Sequence, residues 1–268
     1  MITGVAWVIS GADWSVLHTW YGEGSYDHLG AAVATAGDVN DDGYDDVIVG
    51  APENDGNLEN GRAYVFSGKD GSTLYSIAGT QRKAEFGFAV GGGVDLDDDG
   101  YDDFFVGEPR WEAPGNTYQA GRVRAYSGQD GTHLWDSSPI TFGYRVGWSV
   151  DAVPDVNGDG YDDVVAGAPY GRSNDKNTGI AYLLSGEDGT VIRTLEPDTN
   201  GVNSTFGSSV ECIGDANGDG VVDFVVGAPE DGLSPTPSAG AVYVISGKDA
   251  KILQTWRGTV SYQRYGLD

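Results

Sequence analysis

DVNGDGYDD, residues 155–163, is the third of four copies of a nine-residue stretch that decides the fold of this chain. Oxygen-bearing side chains stand at positions 1, 3, 5 and 9 of the stretch, glycine stands at position 6, and position 7 can offer its backbone carbonyl. A calcium ion takes six to eight oxygen ligands at about 2.3–2.6 Å, so alternate residues of a tight loop must point inward while a glycine permits the sharp turn. The stretch therefore predicts a calcium-binding loop.

All four copies carry Asp or Asn at every predicted side-chain ligand position. The predicted ligands, with position 7 contributing its carbonyl, are Asp38, Asn40, Asp42, Tyr44 and Asp46; Asp95, Asp97, Asp99, Tyr101 and Asp103; Asp155, Asn157, Asp159, Tyr161 and Asp163; and Asp215, Asn217, Asp219, Val221 and Asp223. A single copy could be a solvated Asp/Gly turn, but four copies in register favour about four bound Ca²⁺ ions.

The start of each stretch is similar to an EF-hand loop, but the sequence excludes an EF-hand. An EF-hand needs a bidentate Glu at position 12 and a helix on either side of the loop. Position 12 is apolar in every copy, and it lies inside a short apolar run such as VIVGAP (47–52) or VVAGAP (164–169). Such runs predict buried strands, so each loop joins one strand to the next.

The charge of the chain excludes several classes of partner. The formal net charge is −26, from 15 Lys and Arg against 41 Asp and Glu, and 18 of these acidic residues lie in the four loops. Nucleic acid and anionic membrane surfaces both require a basic face, so neither is an expected partner. No apolar run reaches transmembrane length, so we expect no direct membrane insertion. The single cysteine, Cys212, rules out an internal disulfide framework.

The loops recur about every 60 residues, with first positions at 38, 95, 155 and 215. Each repeat contains four strand patterns: one before the loop, one after it, one that begins at a glycine, and one that follows an Asp-Gly hairpin turn. Four antiparallel strands per repeat predict an all-β fold, a β-propeller of four-stranded blades with a calcium loop between strands one and two of each blade. The ends of the fourth strands, at Ile77, Leu195 and Trp256, are predicted to pack between neighbouring sheets.

We expect residues 1–268 to form a single propeller region that is part of a longer chain. The predicted units are an outer half-blade at 4–20, blades at about 29–79, 86–137, 146–196 and 206–257, and a truncated first strand at 264–268. The length and the incomplete repeats suit five blades in the intact ring. The first residues lack the basic region of a secretion signal, so such a signal is not expected within this chain.

The repeats resemble the FG-GAP repeats of the integrin α-subunit propeller and its bacterial relatives. The Phe-Gly signature stands at 86–87 and 206–207, and the Gly-Ala-Pro signature stands at 50–52, 167–169 and 227–229. Leu29 and Val146 replace the Phe of the first signature, and Glu108 replaces the Ala of the second. Glu108 is interpreted as a tolerated polar residue at a strand end, with a ligand contact as the alternative. The resemblance implies a calcium-stabilised propeller that acts in extracellular or cell-surface binding or adhesion. It implies seven blades in the intact ring, as the alternative to five.

The two faces of such a propeller differ in this chain. The calcium loops and the Asp-Gly hairpins lie on one face, while the variable segments 53–60, 110–120, 170–178 and 230–239 lie on the other, which we call the opposite face. Variable loops on a rigid scaffold carry specificity, so this face is predicted to bind a protein or glycan ligand, with ordinary loop chemistry as the alternative. The candidate ligand-binding residues are Arg110, Trp111, Tyr118, Tyr170, Arg172 and Lys176.

Three classes of function compete. The favoured one is a non-enzymatic, calcium-stabilised extracellular binding or adhesion module. A glycan-binding propeller would repeat one aromatic pocket per blade, and the variable segments do not repeat. The alternative is the propeller portion of a secreted calcium-dependent enzyme, such as a lyase or phospholipase. His18, His28 and His133 are the only histidines, and no Ser or Cys nucleophile signature accompanies them.

Overall fold

The structure, a computed structural model, describes residues 3–24, 26–53, 60–115, 118–137, 143–173, 176–197, 204–232 and 238–267. Every regular element within these ranges is a β-strand, and they contain no helix. The strands form one sheet of two strands and four sheets of four strands. We call the two-stranded sheet the half-blade and number the four-stranded sheets as blades 1 to 4 in chain order.

The bounds of the strands follow the predicted repeat. The half-blade consists of β1 (Val5–Ile9) and β2 (Val16–Tyr21). Blade 1 consists of β3 (Ala32–Gly37), β4 (Asp46–Ala51), β5 (Arg62–Phe66) and β6 (Thr73–Ala78), and blade 2 of β7 (Ala89–Val94), β8 (Asp103–Gly107), β9 (Val123–Tyr126) and β10 (His133–Asp136). Blade 3 consists of β11 (Ser149–Val153), β12 (Asp163–Ala168), β13 (Ile180–Leu184) and β14 (Val191–Leu195), and blade 4 of β15 (Ser209–Gly214), β16 (Asp223–Ala228), β17 (Ala241–Ser246) and β18 (Ile252–Arg257).

Strands pair antiparallel with their sequence neighbours in every blade. The first strands β3, β7, β11 and β15 contact one another in succession, as the innermost strands of a propeller do. The prediction of an all-β propeller with four-stranded antiparallel blades is therefore confirmed. The predicted metal loops all follow first strands. Because antiparallel strands turn at alternating faces of the propeller, these loops lie on one face.

A glycine before each third strand links its blade to the next one. Gly61 forms a parallel bridge with Phe86, and Gly121 forms the same bridge with Val146. A Cβ atom at Gly121 would lie 2.3 Å from the carbonyl oxygen of Val146, and the backbone there has a φ of +74°. Only glycine meets both demands, which explains why the predicted third strands begin at glycine.

The hydrophobic core lies between adjacent blades. The second strands are buried along nearly their whole length, and all six residues of β12 are buried. Phe86 and Phe104 of the cluster between blades 1 and 2, and Phe206 and Phe224 of the cluster between blades 3 and 4, have no exposed surface. Each blade therefore buries its apolar side chains against its neighbours rather than within a single central core.

At the first three junctions between neighbouring sheets, a side chain of the outer strand contacts the hairpin of the next blade. His18, Tyr75 and Trp135 occupy equivalent register positions in β2, β6 and β10. Each donates a hydrogen bond from its side chain to the carbonyl of the first hairpin glycine of the next blade, namely Gly68, Gly128 and Gly186. Each ring also lies against the second hairpin glycine, where a Cβ atom would come within about 3 Å of it. The glycine of the Asp-Gly turn thus leaves room for the ring to pack against the hairpin backbone.

One of the predicted packing residues is exposed instead. Leu195 is fully buried and Ile77 is half-buried, but 48% of Trp256 is exposed. Trp256 lies in β18, the outer strand of blade 4, and within the described residues no further sheet follows to cover it. The expectation that Trp256 packs between two sheets is therefore wrong for this structure.

Candidate metal loops and the opposite face

The hairpins between third and fourth strands hold the metal loops in place. In each blade the first hairpin glycine donates its backbone N–H to the position 9 carboxylate, at 3.0 Å for Gly68 to Asp46 and 2.8 Å for Gly128 to Asp103. The other oxygen of Asp103 accepts a hydrogen bond from the backbone of Leu96 at 2.7 Å. Position 9 therefore ties the loop to its own hairpin, a contact that the spacing of the motif did not predict.

The carboxylate at position 1 organises the turn. Asp215 accepts backbone hydrogen bonds from Gly218, Asp219 and Gly220 at 2.7, 3.1 and 2.8 Å. These N–H groups, Gly220 first, lower the pKa of Asp215. The glycine at position 6 has a φ between +84° and +96° in all four loops, which L side chains rarely adopt.

Three carboxylates of the second loop lie together. Asp95, Asp97 and Asp99 each offer an oxygen within 4.8 Å of the others. Burial raises the pKa of Asp97, and the charges of Asp99 and Asp95 raise it further. A divalent cation would relieve this repulsion, so the donor set fits a hard, oxygen-seeking ion such as Ca²⁺.

The first loop supplies a second indication of a cation site. The amide oxygen of Asn40, at position 3, is buried and has no hydrogen-bond partner, while its amide nitrogen donates to Asp46. Buried polar atoms are normally satisfied, so an acceptor left open at a predicted ligand position fits a cation. In the third loop the corresponding oxygen of Asn157 accepts the backbone N–H of Asp159 at 2.8 Å.

Burial raises the pKa of the position 9 carboxylate in the loops of blades 1, 2 and 3. The pKa is raised to about 6 for Asp46, about 7 for Asp103 and about 6 for Asp163. Each of these side chains belongs to a residue with at most 1% of its surface exposed. Because metal binding requires the ionised form, these three groups oppose binding at acidic pH.

We expect the stability of the metal-free protein to fall as pH rises from 4 to 8. A carboxyl whose folded-state pKa exceeds its unfolded-state value stabilises the fold below the unfolded value, and loses that contribution as pH rises through about 6 to 7. Melting temperatures measured in EDTA across this range test the expectation. In saturating Ca²⁺ the trend should reverse, since the ion binds the carboxylates. A metal-free melting temperature that rises steadily with pH would contradict the prediction.

The opposite face holds a cavity of about 450 Å³ between blades 3 and 4. Tyr170 and Arg172, two of the predicted ligand-binding residues, line it together with Tyr144, Asn177 and Thr205. Tyr170 is 44% exposed and Arg172 is exposed. The cavity therefore presents aromatic rings, an amide and a guanidinium to solvent.

Arg145 connects this cavity to blade 2. Its guanidinium lies 4.2 Å from the centre of the Tyr170 ring and 5.8 Å from that of Trp148. It also donates to the side-chain oxygen of Gln119 at 2.7 and 3.0 Å. The backbone carbonyl of Tyr118 accepts a hydrogen bond from Gly143. Three of the predicted residues, Tyr118, Tyr170 and Arg172, are thus joined in one surface through 143–145.

The other predicted residues are engaged elsewhere. Arg110 forms an ion pair with Glu85 at 2.8 Å, so its charge is partly neutralised. Trp111 covers the guanidinium of Arg122, whose central carbon lies 4.3 Å from the ring centre. The backbone of Lys176 exchanges hydrogen bonds with Ser173. The remainder of the loops, at 54–59, 116–117, 174–175 and 233–237, lies outside the described residues.

Glu108 has a structural partner that explains its departure from the Gly-Ala-Pro signature. It has no exposed surface and pairs with the buried Arg122 at 2.6 Å. Arg122 also reaches Asp136 at 2.7 Å and Thr80 at 3.1 Å. Burial raises the pKa of Glu108, and the charge of Arg122 lowers it. Glu108 is therefore half of a buried ion pair.

Sequence reasoning also missed a pair that recurs in the blades. The residue before the Phe-Gly position has a left-handed backbone in every blade, and it contacts the residue after the Gly-Ala-Pro position of the same blade. The pairs are His28 with Glu53, Glu85 with Arg110, Arg145 with Tyr170, and Thr205 with Glu230. Aligning the repeats would have found these positions, because their residue types change together.

The four-stranded blades, the parallel bridges at the Phe-Gly positions and the recurring acidic loops define a class of protein. The family model described as FG-GAP repeat matches residues 29–66, 146–184 and 206–245, which lie in blades 1, 3 and 4. The chain is a β-propeller with FG-GAP repeats in three of its blades, and the resemblance drawn from its Phe-Gly and Gly-Ala-Pro signatures is confirmed.

Integrin α subunits are among the curated proteins similar to this chain. Integrin alpha-5 of Xenopus laevis is 32% identical over 221 residues, which cover 76% of this chain and 20% of that protein. Integrin alpha-V of Gallus gallus is 29% identical over 219 residues, with 75% and 20% covered. Phosphatidylinositol-glycan-specific phospholipase D of Bos taurus is 34% identical over 180 residues, with 60% and 21% covered. The chain spans about a fifth of the length of each of these relatives.

Over the described residues, no helix has the length and apolar character needed to cross a membrane.

Proposed function

We propose that this propeller is a calcium-stabilised, extracellular or cell-surface module that binds a protein or glycan ligand through its opposite face. The contrast between the two faces carries the proposal. Four nearly identical acidic loops lie on one face, and the other presents dissimilar loops around a cavity of about 450 Å³. Similarity to integrin α subunits supports an adhesion role, with protein as the ligand class.

In this proposal the metal loops hold about four Ca²⁺ ions. The side chains at positions 1, 3, 5 and 9 and the carbonyl at position 7 would hold each ion. The three clustered carboxylates of the second loop and the open acceptor of Asn40 support this assignment. Bound Ca²⁺ would neutralise crowded carboxylates and fix the turn between the first two strands of a blade. It would therefore act structurally, at a distance from the ligand.

The cavity of the opposite face supports an acidic ligand. Arg172 and Asn177 can donate hydrogen bonds to a carboxylate or sulfate group, while Tyr144 and Tyr170 offer flat surfaces to a sugar ring or an apolar side chain. An exposed cation is a distinctive feature in a chain with a net charge of −26. Electrostatic complementarity would favour partners with local negative charge.

We expect Arg172→Ala to weaken ligand binding at least tenfold, because a charge-assisted contact in a cavity contributes about 1.5–3 kcal/mol. The measurement is binding to an array of acidic glycans and a panel of extracellular matrix proteins in millimolar Ca²⁺. Lys251→Ala is the matched control, since Lys251 follows the hairpin turn of blade 4, on the face of the metal loops. Equal loss in both variants, or a ligand bound by the metal loops, would refute this assignment of faces.

A second candidate function is the propeller portion of a secreted enzyme, which the similarity to a phospholipase D favours. The histidines offer it little support. His18 donates to a backbone carbonyl of blade 1, His28 pairs with Glu53, and His133 bonds to Asp136 at 2.7 Å. None of these contacts includes a Ser, Thr or Cys side chain. Hydrolysis of a glycosylphosphatidylinositol substrate by this chain would favour the enzyme over the binding module.

A further inference from the structure

The residue after the first hairpin glycine differs among the four blades. It is Lys69 in blade 1, Gln129 in blade 2, Glu187 in blade 3 and Lys248 in blade 4. The hairpin backbone holds this residue in the same place each time, because the preceding glycine always donates its N–H to the position 9 carboxylate. The Cα atom of this residue therefore has an equivalent position beside each metal loop. The four blades differ mainly in the charge of its side chain.

In blade 1 the ammonium group of Lys69 lies over the metal loop. It is 3.9 Å from the Oδ2 atom of Asp42, a position 5 ligand, and 3.4 Å from the backbone carbonyl of the same residue. It also lies 5.3 Å from the centre of the Tyr44 ring, at position 7. A fixed positive charge thus lies beside two of the five predicted ligand positions.

Blade 4 repeats this contact with a different loop sequence. The ammonium group of Lys248 donates to the backbone carbonyl of Asp219, again the residue at position 5, at 3.1 Å. The fourth loop has Val222 where the other three have Asp at position 8, so it also holds fewer carboxylates. The same contact in two blades shows that the placement follows from the hairpin geometry.

We propose that Lys69 and Lys248 act as tethered cations that lower the calcium affinity of the loops in blades 1 and 4. The ammonium group competes with Ca²⁺ for the field of the position 5 carboxylate and repels the ion. Blades 2 and 3, with Gln129 and Glu187, then form the higher-affinity pair. This inference rests on the proposed binding of calcium by the metal loops.

The size of the effect follows from simple electrostatics. The ammonium group of Lys69 lies 3.9 Å from the carboxylate of Asp42. Two unit charges at about this distance interact by about 1 kcal/mol at the dielectric constant of water, which corresponds to roughly a fivefold change in calcium affinity. Lys69 is exposed and Asp42 is partly exposed, so added salt should screen the interaction. Blade 2 also has four ligand carboxylates against three in each other loop, which adds to the difference between the sites.

Calorimetric titration of the full chain with Ca²⁺ tests the proposal. Wild type should fill in two phases. Lys69→Gln should tighten one site of the weaker phase about fivefold, and Gln129→Lys should weaken one site of the tighter phase by a similar factor. Lys251→Gln is the control, because Lys251 pairs with Asp249 in the same hairpin as Lys248 and should leave the isotherm unchanged.

Salt and folding separate the possible results. Raising KCl from 20 mM to 500 mM should reduce both changes to less than twofold, and a change that persists would overturn the electrostatic explanation. Circular dichroism in EDTA checks that the variants fold, and the opposite signs expected for Lys69→Gln and Gln129→Lys exclude a general loss of structure. If wild type binds Ca²⁺ but neither swap alters the titration, this inference is wrong. If wild type binds no Ca²⁺, the proposed metal loops fail as well.

Discussion

Raising Ca²⁺ to ten times its dissociation constant should increase the melting temperature of the chelated protein by about 10–20 °C. An ion that binds only the folded state stabilises it by RT ln(1 + [Ca²⁺]/Kd), which is about 1.4 kcal/mol per site at this ratio. Four sites together contribute about 6 kcal/mol, and each kcal/mol shifts the melting temperature of a domain of this size by about 2–4 °C. The affinity expected for extracellular calcium modules is about 10⁻⁴–10⁻³ M, so about 10 mM Ca²⁺ suffices.

The physical source of this shift is the crowding of carboxylates. Without a bound ion, the carboxylates of Asp95, Asp97 and Asp99 lie close together and repel one another. Differential scanning calorimetry in EDTA and in Ca²⁺ gives the shift directly. Asp159→Ala should remove about a quarter of it, while Asp41→Asn, which changes an exposed residue at the non-ligand position 4, should keep nearly all of it. A melting temperature that EDTA does not change would contradict the metal sites.

Trp135→Ala should lower the free energy of unfolding by about 3–5 kcal/mol, the usual range for removing a buried aromatic ring. Only 6% of Trp135 is exposed, and it belongs to the core cluster between blades 2 and 3. Its indole N–H also donates to the carbonyl of Gly186, which would lose its partner. Urea unfolding in saturating Ca²⁺ measures the change.

Trp256→Ala is the matched control for this experiment. Trp256 also lies in a fourth strand, but it is 48% exposed and in blade 4. Its replacement should cost less than about 1 kcal/mol, as expected for an exposed site. If both variants lose the same stability, the coupling between blades through Trp135 is not the cause, and the packing described here is wrong.

Much of this fold could be predicted from the sequence because the repeat places the same demand on the chain four times. Glycine at position 6, apolar residues at position 12 and Asp-Gly hairpins each have a local physical cause. The apolar run at 164–169, predicted to be a buried strand, accordingly overlaps β12, Asp163–Ala168. The exposure of Trp256 was missed, because a repeat pattern shows which face packs but not whether a neighbouring blade is present to pack against it.

The contacts of the candidate sites were harder to predict because they join residues distant in sequence. The pairing of Glu108 with Arg122 spans 14 residues and depends on the separation of two strands. The contact of Arg145 with Tyr170 joins two loops of one blade. The position of Lys69 over the metal loop depends on a hydrogen bond between the hairpin and Asp46. Composition and spacing contain no direct record of these distances.

The packing of a fourth-strand ring against the hairpin of the next blade has a consequence for how such chains can evolve. His18, Tyr75 and Trp135 each meet a glycine in the following blade, but the equivalent positions at the next junction are Arg193 and Ala250. Recombination that exchanges whole repeats among the first junctions would keep a ring opposite a glycine. A repeat with a ring at this position of its fourth strand, inserted between blades 3 and 4, would place that ring opposite Ala250, whose methyl group stands where the other hairpins have glycine. A segment that can be exchanged between such chains therefore has to include the fourth strand of one repeat together with the hairpin of the next repeat.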